Sequence, residues 1–116
     1  MFHNLIKEIW NTAPGLENVM LSGVDGIVIA RHHESEQDDF IAAESANLVK
    51  ESQRFGLEMG SDALVGLCTY YEGLAILIQM VTPEYFLVGL VKEVRHLGRI
   101  RYRFLLKSHE WYSAIA

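Results

Sequence analysis

Apolar and polar positions follow two different periods along the chain. From Phe2 to Trp10 apolar residues recur at helical spacing, and Pro14-Gly15 ends that pattern. Two apolar runs follow, Val19 to Gly23 and Ile27 to Arg31, with Asp25-Gly26 between them. Asp-Gly between apolar runs favours a tight turn, because glycine adopts a positive φ without steric cost. The pattern therefore predicts a short helix followed by a β-hairpin.

The second half of the chain repeats this change of period. A polar segment, His32 to Asp39, leads into the longest helical pattern, Phe40 to Gly60. Short links then join three apolar runs of strand length, which should be antiparallel neighbours: Ala63 to Tyr71, Leu74 to Val81 and Tyr85 to Val91. A last helical pattern opens at His96. The order α-β-β-α-β-β-β-α predicts an α/β sandwich of two or three layers around a five-stranded, mostly antiparallel sheet.

The long helix carries two stripes of apolar or small residues at helical spacing. We expect the first to cover the sheet: Ile41, Ser45, Leu48, Ser52, Phe55 and Met59. Small residues in the second would let another backbone come close, so we assign it to a dimer interface: Ala42, Ala46, Val49, Gln53 and Gly56. The alternative is that the alanines merely favour a helix. The remaining face is the candidate for binding a partner: Ala43, Asn47, Lys50, Glu51 and Arg54.

Length and composition are those of one small domain. The 116 residues support a single core, so we predict one domain over residues 1–116. The hydrophobic share of 50% allows either a larger core or a surface for self-association. Because no apolar run reaches the length of a membrane span, and the N-terminal segment lacks a signal-peptide cleavage site, we expect a cytoplasmic protein without membrane insertion. The only cysteine, Cys68, lies in an apolar strand, where a buried and inert thiol is expected.

Charge is distributed unevenly along the chain. The formal net charge is −5, which opposes contacts with phosphates, so no nucleic-acid binding is expected. The segment after Val91 is nevertheless basic, since only Glu93 and Glu110 oppose its cations: Lys92, Arg95, Arg99, Arg101, Arg103 and Lys107. This last helix presents either an ordinary solvated face or a surface for an acidic partner.

No group of residues in the sequence indicates catalysis. Adjacent His32 and His33 at a strand end should point to opposite faces, and no histidine pair has helical i, i+4 spacing with a carboxylate partner. Gly23 and Gly26 do not open a helix after a strand, as a phosphate-binding loop requires. No arrangement of serine, histidine and acid can be selected either. We therefore expect no catalytic residues, no cofactor, no metal and no enzyme activity.

Several segments together resemble the Roadblock/dynein light-chain domain family, over nearly the whole chain. These segments are Pro14-Gly15, LSGVDGIVIAR, Ala42-Ala43-Glu44-Ser45-Ala46, EGLAILIQMV, YFLVGLV and LGRIRYRF. The resemblance implies a homodimer in which the long helix and an edge strand of two subunits meet and one sheet continues across both. It also implies a regulator or scaffold. Bacterial and archaeal MglB-type members act on Ras-like GTPases, and eukaryotic members serve dynein or lysosomal scaffolds.

The resemblance leads us to expect a homodimer that binds a Ras-like small GTPase and tunes its nucleotide cycle or its placement. Strand Ala63 to Tyr71 should pair across the two-fold axis, since an exposed apolar edge strand otherwise promotes aggregation. Arg54, and after it Arg31, is the candidate for contact with the nucleotide; alternatively, the protein aligns the partner's own switch residues. The competing hypothesis is a dimeric scaffold or sensor subunit that binds a kinase or a motor component without affecting GTP hydrolysis.

Overall fold

The computed structural model describes residues 1–115 and contains the predicted elements in the predicted order. Its helices are α1 (Phe2–Thr12), α2 (Asp38–Glu58) and α3 (Leu97–Ile115), and a 3-10 turn at Val94–His96 leads into α3. Its strands are β1 (Leu16–Gly23), β2 (Val28–Arg31), β3 (Gly66–Tyr71), β4 (Leu74–Met80) and β5 (Tyr85–Val91). The predicted elements are confirmed, with ends that differ by up to three residues.

The five strands form one sheet in the order β2-β1-β5-β4-β3, and every neighbouring pair is antiparallel. At the predicted hairpin, Gly26 has a φ of 84° and the Asp25 carboxylate accepts a hydrogen bond from the Ile27 N–H at 3.1 Å. Strand β5 lies in the centre of the sheet, whereas β2 and β3 are its edges. The side of β3 that faces away from β4 has no strand partner within residues 1–115.

Helices cover both faces of the sheet, so the sandwich has three layers. Helices α1 and α3 pack on one face through apolar side chains that include Ile9, Ile100 and Phe104. Helix α2 packs on the other face, against a cluster of Met20, Ile78, Phe86 and Val88. Within residues 1–115, α2 is the one helix on its face, so the part of the sheet that it leaves uncovered is available to other surfaces.

Candidate interaction surfaces on the long helix and the sheet edge

The stripe of small residues on α2 faces the protein's own sheet. Ala42, Ala46 and Val49 are 0%, 2% and 4% exposed and belong to the core beneath α2. Gln53 and Gly56 are half-buried, and the Gln53 Oε1 accepts a hydrogen bond from the Leu64 N–H at 2.8 Å. Ala42, Ala46 and Val49 are therefore covered by the chain's own sheet and are not accessible to a second chain, so the prediction of a dimer interface is wrong for these three residues. Small side chains permit a close approach of a helix to a sheet as well as to another helix, and α2 uses them for its own sheet.

Large apolar side chains are exposed instead on one flank of α2. Leu48, Phe55 and Met59 are exposed, while Ile41 and Ser52 beside them are half-buried; we call these five residues the apolar flank. The prediction that this stripe covers the sheet is wrong, since only Ser45 of the stripe is buried there. Because these exposed apolar side chains are grouped on one helix, the apolar flank is a candidate for contact with another surface.

The five residues predicted to bind a partner are all exposed and form the polar flank of α2, namely Ala43, Asn47, Lys50, Glu51 and Arg54. By helical periodicity, the polar flank and the apolar flank lie on either side of the stripe that contacts the sheet. The Arg54 guanidinium donates to Glu51 at 2.8 Å and to Glu58 at 2.9 Å. These hydrogen bonds raise the pKa of Arg54. Lys50 has no ion pair within residues 1–115.

Arg31, the second candidate arginine, is also engaged in an ion pair within its own chain. Arg31 Nη1 lies 3.0 Å from Asp38 Oδ2, and the same carboxylate oxygen accepts a hydrogen bond from the Ser35 N–H at 2.9 Å. Both arginines proposed from the sequence for contact with nucleotide are thus held by carboxylates of their own chain. Either one would have to break an ion pair before it could reach into a partner.

A cleft of about 1090 Å³, here called the end cleft, borders the polar flank. Lys50 and Arg54 lie on its rim, and the exposed side chains of Leu57 and Val65 form part of its apolar wall. Helix α3 closes the far side with Leu105, His109 and Tyr112. No sequence pattern indicates this cleft, because its walls come from segments that only the fold brings together.

A second groove, the edge groove, has a volume of about 640 Å³ and lies between β3 and α3. Gly66, Cys68 and Tyr70 of β3 line it, and Arg101 and Tyr102 of α3 stand opposite. Cys68, expected to be buried, is half-buried. Burial raises the pKa of the Cys68 thiol, whereas Tyr70 and Arg101 lower it. The thiol is therefore not an activated nucleophile, and it should react more slowly with alkylating reagents than a fully exposed cysteine.

The two adjacent histidines lie together and not on opposite faces. The His32 and His33 ring centroids are 4.3 Å apart, and Trp10 stacks on His32 at 3.8 Å. The expectation from strand alternation is wrong because β2 ends at Arg31, before either histidine. Within residues 1–115, no three potential metal ligands cluster together. In the same part of the chain, no helix has the length and apolarity needed to cross a bilayer.

Comparison with known proteins identifies the fold through solved structures. No family model matches the sequence, and no curated protein matches it either. A Roadblock/LC7 domain from Streptomyces avermitilis superposes with a TM-score of 0.84 at 14% identity, covering 97% of this chain and 96% of that one. Myxococcus xanthus MglB gives a TM-score of 0.86 at 16% identity, with coverages of 97% and 93%.

The likeness extends beyond Roadblock domains. Acanthamoeba castellanii profilin IB superposes with a TM-score of 0.71 at 12% identity, covering 98% of both chains. Identities this low carry information about the fold and not about the activity. The first two superpositions extend over nearly the whole of both chains, and the protein therefore has the Roadblock/LC7 fold.

Proposed function

We propose that the protein is a homodimeric regulator or scaffold that binds a Ras-like small GTPase and modulates its nucleotide cycle or its localisation. One observation carries this proposal: an exposed apolar flank on α2 in a domain that also has an unpartnered edge strand, β3. The resemblance of the sequence to Roadblock domains and the fold shared with MglB support the choice of a GTPase as partner.

In the proposed dimer, the apolar flanks of two α2 helices meet and the two β3 strands pair into one continuous sheet. Half-buried Leu67 and Ile76, on the α2 face of the sheet, add apolar surface to the contact. Full burial of a side chain such as Phe55 contributes about 1.5–3 kcal/mol. Around a two-fold axis both subunits contribute the same surface, so the assembly is complete with two chains. The pairing also leaves the edge of β3 without unpaired backbone groups.

The polar flank is the proposed surface for the GTPase. It lies on the side of α2 away from the apolar flank, so it stays exposed when two apolar flanks meet. The end cleft beside it provides the apolar centre, and the charged residues around the cleft provide the polar rim that protein interfaces usually combine. Lys50 has a charge that no carboxylate of residues 1–115 neutralises, and a charge of this kind mainly affects association rate.

The ion pairs of Arg31 and Arg54 favour one mechanism over the other. An arginine inserted into the nucleotide site of a GTPase accelerates hydrolysis by roughly 10³–10⁵-fold. Both candidate arginines are engaged within the chain, so we propose that the protein positions the partner's own switch residues. The same observation favours the second candidate function, a dimeric scaffold or sensor subunit that binds a kinase or a motor component without affecting hydrolysis.

Binding and hydrolysis measured together separate these functions. A Ras-like GTPase encoded beside this gene would be titrated in its GDP and GTP forms, and its hydrolysis measured with the unaltered protein, Lys50→Glu and Arg54→Ala. We expect nucleotide-dependent binding that Lys50→Glu slows and Arg54→Ala leaves intact. The control is Lys7→Glu on α1, which reverses an exposed charge away from α2. Binding without any change in hydrolysis would favour the scaffold, and no binding in either nucleotide state would refute the GTPase proposal.

A further inference from the structure

The edge groove is a cationic site in an acidic protein. Arg101 lines it, and no aspartate or glutamate does. Arg101, like Arg99 and Arg103, has no ion pair within residues 1–115, and of these three arginines Arg101 alone lines the groove. With a net charge of −5 for the whole chain, an arginine left without a carboxylate in a groove marks a place for an external anion.

The rest of the groove suits a peptide better than a small ion. Exposed Tyr70 and Tyr102 offer apolar ring surface together with hydroxyl groups, and half-buried Leu105 adds aliphatic surface. Gly66 leaves part of the β3 wall without a side chain. Aromatic and arginine side chains around a depression are typical of protein interfaces.

The proposed dimer enlarges this groove, and the inference rests on that dimer. If two β3 strands pair, the two edge grooves adjoin across the two-fold axis on the face that carries α3. Helix α3 contacts β4 and, through Phe104, Gly89 of β5, so paired β3 strands would lie uncovered between the two α3 helices. The joined edge grooves then form one open depression with the paired strands as its floor, and this shape suits an extended chain lying across the floor.

We propose that the joined edge grooves bind an extended acidic segment of a partner protein, with carboxylates paired to the Arg101 side chains of both subunits. The segment lies over the paired β3 strands and contacts the tyrosine rings. This surface is on the face of the sheet opposite α2, so it is separate from the polar flank. A GTPase and an acidic segment could then occupy the dimer together.

The test uses two short synthetic peptides with a neutral fluorophore, one alternating glutamate and valine and the other alternating lysine and valine. Fluorescence anisotropy at low ionic strength should show that the acidic peptide binds, with one peptide for each pair of chains, and that the basic peptide does not. Arg101→Glu should weaken binding about tenfold or more. Arg99→Glu is the matched control, because Arg99 is exposed on the same helix, has no ion pair within residues 1–115 and does not line the groove.

Cys68 provides a second readout inside the groove, since it is the only cysteine of the chain. The acidic peptide should slow its alkylation by N-ethylmaleimide, and Arg101→Glu should remove that protection. Equal losses of affinity in Arg99→Glu and Arg101→Glu, or no protection of Cys68, would overturn the inference. Sedimentation separates it from the proposed function: a monomeric chain contradicts both, whereas a dimer that ignores the acidic peptide contradicts this inference alone.

Discussion

Arg31 at the end of β2 reaches the first turn of α2 and pairs with Asp38 at 3.0 Å. Asp38 is 1% exposed, and its Oδ1 has no hydrogen-bond partner within residues 1–115. Its charge is therefore compensated mainly by Arg31 and the Ser35 N–H, both on Oδ2. The pair joins the edge of the sheet to the start of α2, the one helix on that face within residues 1–115.

Removal of the arginine should destabilise the fold through this buried carboxylate. We expect Arg31→Met to lower the free energy of unfolding by about 2 kcal/mol, less than for a fully buried pair because Arg31 is itself partly exposed. Urea denaturation of Arg31→Met, Asp38→Asn and the double variant measures the coupling between the two residues. If the changes in the free energy of unfolding caused by the two single substitutions simply add in the double variant, the ion pair does not hold α2 to the sheet edge.

On α2 the small residues face the sheet and the large apolar residues are exposed, so a substitution in one stripe should have the opposite effect of a substitution in the other. Phe55→Arg should abolish dimer formation and leave the fold intact, because Phe55 is exposed in the single chain. Ala46→Arg should unfold the chain, because it places a long charged side chain where only 2% of the residue is exposed. Sedimentation and far-ultraviolet circular dichroism of both variants check this. A folded, monomeric Ala46→Arg would restore the original assignment of the small stripe to the dimer interface.

Sequence patterns predicted the three α-helices, the five strands and the edge position of β3, because periodicity and hairpin-length links constrain neighbouring strands. They could not decide which stripe of α2 faces the sheet, since Ile41, Leu48 and Phe55 look equally suited to a core inside the chain or to one between chains. The ion pair between Arg31 and Asp38 could not be predicted from the sequence either. It depends on how residues 32–37 turn back, and no periodic pattern describes that segment.

The folded state should become less stable in mild acid, because His32 binds a proton less readily in the folded chain than in the unfolded chain. Burial and the neighbouring His33 lower the pKa of His32 below its usual value of 6.5, so the unfolded chain binds the proton more readily. The folded state therefore loses stability as the pH falls through 6.5, until His32 is protonated in the folded state as well. We expect the melting temperature to drop more between pH 7.5 and 5 in the unaltered protein than in His32→Phe, which keeps a ring on Trp10. Identical pH profiles for the two proteins would contradict this assignment.

The contact between Gly89 and Phe104 sets how closely α3 approaches the centre of the sheet. A Cβ at Gly89 would lie 2.7 Å from Phe104 Cζ and 3.0 Å from Leu16 Cδ2, and both side chains are part of the core. Gly89→Ala should therefore cost about 1–3 kcal/mol, because Phe104 is fully buried and has little room to move aside.

Gly98 is the matched control for this substitution. It lies in the first turn of α3, and a Cβ there would meet nothing within 4 Å. Alanine also restricts the unfolded chain, so Gly98→Ala should raise the free energy of unfolding by about 0.5 kcal/mol. Thermal and urea denaturation of both variants should thus give opposite signs. If Gly89→Ala were as stable as the unaltered protein, α3 could not be packed against β5 through Phe104 as closely as the structure has it.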